Sequence, residues 1–496
     1  MSKKTKLNKL SEEEKELLKK ELEKELYNKS FYEFFKKAVK VLEPSTQWSF
    51  NWHHEYICDI LQEETLRIKD NKPKTKDIII NVPFRSSKSL MVSVCFPVWS
   101  WLQHNQMSFI NLSYSSSLSS DHSNKVIELL SNPWFQNLYG GEDYKLNFDH
   151  SAKNDFKLNC GGHRISSGMV GSVLGKGADI IIMDDPNSPK DLSEVGRRNT
   201  IRSYTDTIST RLNNPETGLF IVVQQRLHEN DLTGYLLSNF KDDWNHICLP
   251  AELSKNVSPI SLINKYENGY LWIKRFSKKV LDKFKITLGS VNYANQLQQE
   301  GSVQEGNIIK RKWLKSISID EFNFMLETNK INENNIKWEM IIDTALTAKK
   351  KNDDTGIMIY ASILNDVYVK KVFKLKLEFP ELIKEIVNIY TVYKCKIIKI
   401  EPKANGLSVI QQIKRSTKLP VKELPNKGKG DDKESCLNSV SPLIESGRFI
   451  MLEDLSNDIL ITQLTGFPNE KSDEMVDLTY YALSGANKGI FNYAMM

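Results

Sequence analysis

Two adjacent acids at the end of an apolar stretch give the clearest chemical signal in this chain. Residues 179–186 read Asp-Ile-Ile-Ile-Met-Asp-Asp-Pro, and their unbroken apolar run predicts a parallel strand that is covered on both faces. Such a strand would place Asp184 and Asp185 at its carboxyl end. There Asp184 would hold Mg²⁺, directly or through water, and Asp185 would orient or deprotonate the attacking water. The pattern predicts hydrolysis of a nucleoside triphosphate; a strand that simply meets a polar loop is the alternative.

The loop that would hold the phosphates lies upstream of these acids. Residues 77–81 predict a strand, residues 82–89 read Val-Pro-Phe-Arg-Ser-Ser-Lys-Ser, and residues 90–94 predict the start of a helix. In a phosphate loop, backbone N–H groups, a lysine and a hydroxyl bind the phosphates and Mg²⁺. Val82 and Ser87 stand where that loop usually has glycine. The loop residues predicted to bind ATP are Pro83, Ser86, Ser87, Lys88 and Ser89, with Ser89 also on Mg²⁺.

Three further acids mark a second candidate site in the last third of the chain. Asp343 follows the apolar residues 340–342, Glu401 follows the strand-like residues 397–400, and Asp473 opens a helical run. A ribonuclease H type sheet brings such carboxylates together to hold two divalent cations about 4 Å apart, which activate water and stabilise the leaving oxygen of a phosphodiester. Oxygen ligands suit Mg²⁺ or Mn²⁺. The acids therefore predict a nuclease.

The third metal ligand is open between two acids of the same helix. Asp473 and Asp477 are four residues apart, so both would lie on one helix face and either could reach the metals. We expect Asp473 in the first turn, nearer the strand ends, and therefore favour it as the ligand. Asp477 takes a supporting place in the same metal site.

The elements that position these residues fall into successive segments. Residues 1–45 are highly charged and predict a helical N-terminal arm, and residues 46–300 alternate strand-like and helical runs, as in a parallel sheet with crossover helices. A linker is predicted at residues 301–335, and a new strand series occupies residues 336–496. The predicted fold class is α/β: a P-loop nucleoside triphosphatase domain with a parallel sheet, followed by a ribonuclease H-like nuclease domain.

Composition narrows the class of protein further. The chain has 496 residues, of which 40% are apolar and 26% charged, which is ordinary for a globular protein of two or three domains. None of the six cysteines forms a Cys-x-x-Cys pair, and no apolar run approaches the roughly 20 residues that span a bilayer. We expect a soluble, intracellular protein without a membrane partner. Its basic clusters at residues 349–351, 370–371 and 427–433 indicate either a solvated face or a surface that follows a phosphate backbone.

The order and spacing of these motifs resemble the large terminase subunit of tailed bacteriophages, over roughly residues 46–485. The residues that carry the resemblance are Trp52-His53, 83–89, 113–115, 171–186, 225–232, Gln298-Gln299, Glu305-Gly306, 343–345, 401–406 and 472–477. The resemblance implies a packaging motor that uses ATP and Mg²⁺ to drive double-stranded DNA through a portal protein into an empty procapsid. It also implies a nuclease that cuts concatemeric DNA.

Several residue roles and partners come from this resemblance alone. Arg85 would bind ATP and sense or stabilise the γ-phosphate, and residues 224–226 would relay hydrolysis to movement. Asp185 stands where many relatives have Glu, Gln225 where Thr is common, and Ser472 where His is frequent. The implied partners are a small terminase subunit and further copies of the chain in a ring on the portal, in the host cytoplasm and transiently on the procapsid.

Two other classes of protein share part of the pattern. A DNA helicase or remodelling ATPase would have the phosphate loop and the acidic strand, but it would not need Asp343, Glu401 and Asp473, and it would unwind DNA rather than cut it. A decayed structural or DNA-binding protein would tolerate Val82 and Ser87 in the loop, and Ser472 in the second site. Such a protein would show no metal-dependent hydrolysis.

Overall fold

The structure, a computed structural model, divides into two compact units. The first comprises Met1–Asp282 and Val291–Val303, and the second comprises Lys283–Ser290 and Gln304–Met496. The structure describes residues 11–171, 173–189, 192–302, 307–344, 354–402, 404–425, 433–454, 457–470 and 472–486, without the side chains of residues 148–151, 404 and 405. The basic residues 349–351 and 427–430, and the motif residues Glu305, Gly306, Ala345 and Lys403, lie outside the described part.

The described part of the first unit begins with three helices, α1 (Glu12–Lys29), α2 (Phe31–Leu42) and α3 (Trp52–Lys69). Ser11 and Glu14 form a capping box that starts α1. The apolar face of α2 is buried, and the ring centre of Phe31 lies 5.4 Å from that of Trp99. Part of the segment predicted as an N-terminal arm is therefore packed into the first unit.

An eight-stranded sheet forms the centre of the first unit, in the order β3-β4-β5-β2-β6-β7-β1-β8. Its strands are β1 (Asp77–Asn81), β2 (Ser108–Ser113), β3 (Leu146–Ala152), β4 (Asp155–Leu158), β5 (His163–Gly168), β6 (Ile180–Asp184), β7 (Leu219–Gln224) and β8 (Trp244–Cys248). All neighbours from β5 to β8 in this order are parallel, and the pairs β3-β4 and β4-β5 are antiparallel. The predicted parallel sheet is confirmed.

Helices connect these strands and cover the sheet. A π-helical turn, Leu90–Cys95, leads into α4 (Phe96–Gln103); the other described helices of this unit include α5 (Ser116–Ser131), α6 (Pro133–Tyr139), α7 (Glu194–Arg202) and α8 (Leu232–Asn239). Helix α9 (Lys278–Gln296) has residues in both units. Strands β1, β6 and β7 are buried along their whole length, which explains their unbroken apolar sequences. Because these neighbours are parallel, the residues after β1, β6 and β7 meet at one edge of the sheet.

A mixed seven-stranded sheet, ordered β14-β13-β10-β11-β12-β15-β9, forms the centre of the second unit. The strands are β9 (Lys315–Ile317), β10 (Glu339–Thr344), β11 (Thr355–Ile363), β12 (Asp366–Leu375), β13 (Ile397–Ile400), β14 (Val421–Glu423) and β15 (Phe449–Leu452). Strand β11 runs antiparallel to β10 and β12, and the other pairs are parallel. The second strand series of the sequence thus forms one sheet.

Apolar clusters cover both faces of this sheet. One includes Ile341 and Met358 with residues of α13 (Lys433–Glu445), α14 (Asn457–Gly466) and α15 (Glu474–Ala486). The other includes Met340 and Ile342 with residues of α10 (Ile319–Thr328), α11 (Phe379–Val392) and α12 (Ala404–Ser416). The segment predicted as a linker, 301–335, contains β9 and α10.

Two sequence expectations concern the surface and the membrane. Among the described helices, none combines the length and the apolar character that crossing a bilayer requires. In the basic cluster at residues 370–371, Lys370 lies 4.7 Å from the centre of the Trp338 ring and Lys371 pairs with Asp454 at 2.6 Å. These two lysines therefore have partners within the second unit.

Candidate nucleotide site and candidate metal centre

The predicted phosphate loop follows β1 directly and has an unusual backbone. Arg85 has a φ of 60° and Ser87 a φ of 64°, in the left-handed region that favours glycine. Ser87 is also the residue that stands in the place of a usual glycine, so the backbone keeps the conformation although the residue type has changed. The hydroxyl of Ser86 donates to the Pro83 carbonyl at 2.7 Å and holds the turn closed.

The acids at the end of β6 contact the loop's lysine and serine. The Ser89 hydroxyl donates to Asp184 Oδ1 at 3.0 Å, and Lys88 Nζ lies 3.2 Å from Asp185 Oδ2. All four residues were predicted to meet at one site, and the structure brings them together. Ser93 adds a second hydroxyl, which donates to Asp184 Oδ2 at 2.7 Å.

Burial governs the charges of this site. It raises the pKa of both Asp184 and Asp185 above the ordinary value, and the nearby Lys88 ammonium opposes that rise. Beneath them the Arg164 guanidinium is fully buried and donates to the Ser93 carbonyl at 3.0 Å. Burial lowers the pKa of Arg164 to about 9, and Asp184 opposes this shift. The buried Asp184 carboxylate and the partly exposed Asp185 carboxylate, beside hydroxyl oxygens, form a donor set that fits Mg²⁺.

Neither Arg164 nor His122 was predicted to belong to this site. His122 Nδ1 lies 3.6 Å from Asp184 Oδ2, and burial lowers the pKa of His122 to about 4, so the imidazole is neutral near pH 7. Ser93 lies four residues after Ser89, and helical spacing could have identified it. His122 and Arg164 come from α5 and β5, and no local pattern connects them to the loop.

Asp185 also contacts the segment that was predicted to relay hydrolysis to movement. Its φ is 45°, and its Oδ1 accepts from the Gln225 N–H at 3.3 Å. On either side of Gln225, the Gln224 amide donates to Thr233 Oγ1 at 2.7 Å, and Arg226 Nε lies 3.0 Å from both oxygens of Asp231. Asp185 is thereby joined through β7 to the start of α8.

The Trp52-His53 segment lies behind the phosphate loop. His53 and His54 are buried with ring centres 3.9 Å apart, and His53 lies 5.3 Å from the ring of Trp272. Burial lowers the pKa of His54 to about 4, although the Ser86 backbone opposes the shift. Both rings therefore pack as neutral aromatic groups against the loop, because burial lowers the pKa of His53 as well.

Three of the acids predicted for the second site also meet, but the third is Asp477 and not Asp473. Asp343 lies at the end of β10, Glu401 follows the adjacent strand β13, and Asp477 lies in the first turn of α15. Each offers a carboxylate oxygen within 4.8 Å of the other two, and all three residues are buried. Three buried carboxylates are a donor set that fits Mg²⁺ or Mn²⁺.

Asp473 lies outside this group of acids. The expectation that it occupies the first turn of the helix is wrong, because the helix begins one residue later. Helix α15 begins at Glu474, and the inward position of its first turn falls to Asp477, whose side chain is 1% exposed. The Asp473 side chain is 39% exposed and pairs with Lys433 at 2.6 Å. Lys433 Nζ also lies 3.1 Å from Asp477 Oδ2. Burial lowers the pKa of Lys433, but these two carboxylates outweigh it and the pKa rises.

Further side chains hold the acids in place. The Tyr481 hydroxyl, one turn after Asp477, donates to Glu401 Oε1 at 2.7 Å. Ser472, which replaces a frequent histidine, accepts from Lys374 Nζ at 2.7 Å. Gly356 pairs with Asp343 on one side and with Lys374 on the other. A Cβ on Gly356 would lie 3.1 Å from Glu474 Cβ, so the glycine allows α15 to approach the sheet.

The fold and both sites define a class of protein that joins a P-loop nucleoside triphosphatase to a ribonuclease H-like unit. Residues 340–485 match the family model described as the terminase RNaseH-like domain. This match over residues 340–485 supports the predicted resemblance to the large terminase subunits. The predicted fold class is confirmed as well.

Solved structures similar to this chain include large terminases. The large terminase of a thermophilic bacteriophage is 13% identical, with a TM-score of 0.46, over 91% of this chain and 98% of that one. The same terminase in complex with ADP is 12% identical, with a TM-score of 0.47, over 86% and 99%. The bacteriophage HK97 large terminase is 13% identical, with a TM-score of 0.34, over 86% and 94%. A search of curated proteins finds no match.

Proposed function

We propose that this protein drives double-stranded viral DNA into a procapsid by ATP hydrolysis and cuts concatemeric DNA with divalent cations. The observation that carries the proposal is the presence of two complete constellations in one chain. Lys88 and Ser89 contact the acid pair of β6, and three buried carboxylates meet at a second sheet. The match of residues 340–485 to the terminase RNaseH-like domain supports the same conclusion.

The residues of the first site would divide the work of ATP hydrolysis. Ser89 and Asp184 would hold Mg²⁺, which when bound neutralises charge on the phosphates. The phosphates compete with Asp185 for the Lys88 ammonium, because both are anions within its reach. ATP binding therefore releases the Asp185 carboxylate to orient or deprotonate water. Arg85, at the outer part of the loop, would contact the γ-phosphate.

The same release would reach the rest of the motor unit through Gln225. Asp185 accepts its N–H, and the flanking Gln224 and Arg226 are bonded to the start of α8. A change in the position of the Asp185 carboxylate alters this hydrogen bond first. These contacts support the proposal that residues 224–226 relay hydrolysis to movement.

In the second site Asp343, Glu401 and Asp477 would hold two Mg²⁺ or Mn²⁺ ions. The bound cations activate water and stabilise the leaving oxygen of a DNA phosphodiester. Tyr481 fixes the orientation of Glu401 by its hydrogen bond. The helicase alternative gives no role to these three carboxylates, and the decayed-protein alternative gives none to either constellation.

The larger assembly follows from the family. We propose that copies of the chain form a ring on a portal protein, act with a small terminase subunit, and dock on the procapsid in the host cytoplasm. We retain the division at residues 46–300 for the ATPase domain and 336–496 for the nuclease domain as a proposal, with 301–335 between them.

A packaging assay tests the function directly. Purified protein, portal-bearing procapsids and linear double-stranded DNA are mixed with or without ATP, and DNA protected from added nuclease is measured. We expect protection only with ATP, and none with Asp185→Asn, which keeps the size of the side chain but removes its charge. ATP-dependent strand separation without protection and without cutting would support the helicase alternative instead.

A further inference from the structure

Lys433 links the surface to the buried acids of the second unit. It is the first residue of α13 and lies between two acids of another segment, 2.6 Å from Asp473 and 3.1 Å from Asp477. The Asp473 side chain is 39% exposed and that of Asp477 is 1% exposed. One lysine therefore pairs with an acid of the buried group and with an acid at the surface.

The two pairs respond differently to a metal ion. A divalent cation on Asp477 repels the Lys433 ammonium and takes up the carboxylate charge that held it. Asp473 lies outside the buried acid group, so its pair with Lys433 can persist. The lysine would then stay beside the metals with one of its two anionic partners lost.

We propose that Lys433 is the counter-cation of Asp477 in the metal-free protein and that metal ions displace it from Asp477. Asp473 then retains the Lys433 ammonium at a position from which it pairs with a phosphate of the DNA strand. This inference rests on the proposed nuclease function. Lys433 is a positioning residue for the metal centre before displacement, and it contacts the substrate afterwards. Asp473 acts through Lys433 and is not a metal ligand.

Removal of the lysine has two opposite effects if this is correct. In Lys433→Ala and in the longer Lys433→Gln, Mn²⁺ should bind about twofold to fivefold more tightly, because a partly exposed ion pair no longer competes for Asp477. Cutting of double-stranded DNA at saturating Mn²⁺ should fall about tenfold to a hundredfold, as expected for a lost charge-assisted contact to a phosphate. A purely structural role would weaken metal binding and cutting together.

Metal binding is measured by calorimetry with Mn²⁺ alone, on the full chain without nucleotide, with Asp343→Ala as the blank for the second site. Lys371→Ala is the matched control, because Lys371 also forms a lysine–aspartate pair of 2.6 Å in the same unit, at a similar exposure. We expect it to bind Mn²⁺ and cut DNA like the wild type. Weaker Mn²⁺ binding in both Lys433 variants would overturn the proposal that Lys433 is a counter-cation of Asp477.

A double-mutant cycle tests the place of Asp473. Asp473→Asn alone should weaken Mn²⁺ binding, because it leaves Lys433 with Asp477 only. In the Lys433→Ala background the same change should leave the Mn²⁺ affinity unaltered. If Asp473→Asn still weakens binding by the same factor in that background, Asp473 is a ligand and the inference is wrong.

The outcome also separates this inference from the proposed function. A wild type that does not cut DNA in Mn²⁺ or Mg²⁺, or an Asp343→Ala variant that cuts equally well, contradicts the nuclease itself. Cutting that depends on Asp343, together with Lys433 variants that match the wild type in Mn²⁺ affinity and in rate, overturns only the role of the lysine.

Discussion

The nucleotide site and the metal centre both place a lysine against an acid, but the two lysines come from different kinds of position. Lys88 belongs to the phosphate loop and lies 3.2 Å from Asp185, at the edge of one parallel sheet. Lys433 comes from the start of α13 and lies 3.1 Å from Asp477, on α15. We propose that an anion releases the first lysine and a cation the second. A similar ion pair would then prepare one site for phosphates and the other for metals.

The difference extends to how each site is assembled. The first site is built from residues that follow β1 and β6, with β7 between these strands in the sheet. The second takes its acids from the ends of two strands and from a helix that packs on the sheet. The acids of the first site depend on where one strand ends, whereas the acid group of the second also depends on where a helix begins.

The largest effect is expected for Lys88→Ala. ATP turnover and DNA translocation should fall about a hundredfold or more, as is typical when a charged contact to a reacting group is removed. Metal-dependent DNA cutting should persist, because Lys88 belongs to the first unit. Phosphate release and DNA cleavage are measured on one preparation. The phosphate-loop assignment is wrong if the variant hydrolyses ATP like the wild type.

Substitution of the carboxylates of the second site tests whether DNA cutting can be lost while ATP hydrolysis is retained. Asp343→Ala, Glu401→Ala and Asp477→Ala should each reduce DNA cutting in Mg²⁺ or Mn²⁺ about a hundredfold or more, since each removes a ligand from a shared metal site. ATP hydrolysis should be spared. Asp473→Ala should reduce cutting less, about tenfold, because it removes only a partner of Lys433. A larger loss with Asp473→Ala than with Asp477→Ala would restore Asp473 as the ligand.

Truncation tests whether residues 301–335 belong to the fold of the second unit. A fragment of residues 304–496 keeps β9 and α10, whereas a fragment of residues 336–496 loses them together with the buried Phe322, whose ring centre lies 5.3 Å from that of Tyr368. We expect the shorter fragment to be less stable by about 3–5 kcal/mol, the usual cost of losing a buried phenylalanine. Urea unfolding of both fragments measures the difference. Equal free energies of unfolding would place 301–335 outside the nuclease fold.

The smallest effect is expected within the phosphate loop. Ser87→Gly should keep ATP turnover and change the free energy of unfolding by about 1 kcal/mol or less, in the stabilising direction, because Ser87 has a φ of 64°. Ser86→Gly is the matched comparison, since it removes the 2.7 Å hydrogen bond to Pro83. It should destabilise the protein and slow ATP turnover. Identical behaviour of the two variants would contradict the role given to the loop conformation.

The sequence by itself determined strands such as β1, β6 and β10 and the polar residues at their ends. A continuous apolar stretch followed by acids specifies a buried strand and its polar end, and that pattern is local. For this reason Lys88, Ser89, Asp184 and Asp185 could be assigned to one site, and Asp343 and Glu401 to the other. The family resemblance added the roles of Arg85 and of residues 224–226, which no local pattern contains.

Only the tertiary structure decided whether Asp473 or Asp477 joins the buried acid group. Asp473 and Asp477 are four residues apart, so helical spacing alone allows either of them. The helix, however, begins at Glu474 and approaches the sheet closely at Gly356, which has no Cβ. That contact turns Asp477 inward and leaves Asp473 at the surface with Lys433. Arg164 and His122 likewise reach Asp184 only through the packing of distant elements. Local sequence specifies where strands end, and packing between elements specifies which side chains meet there.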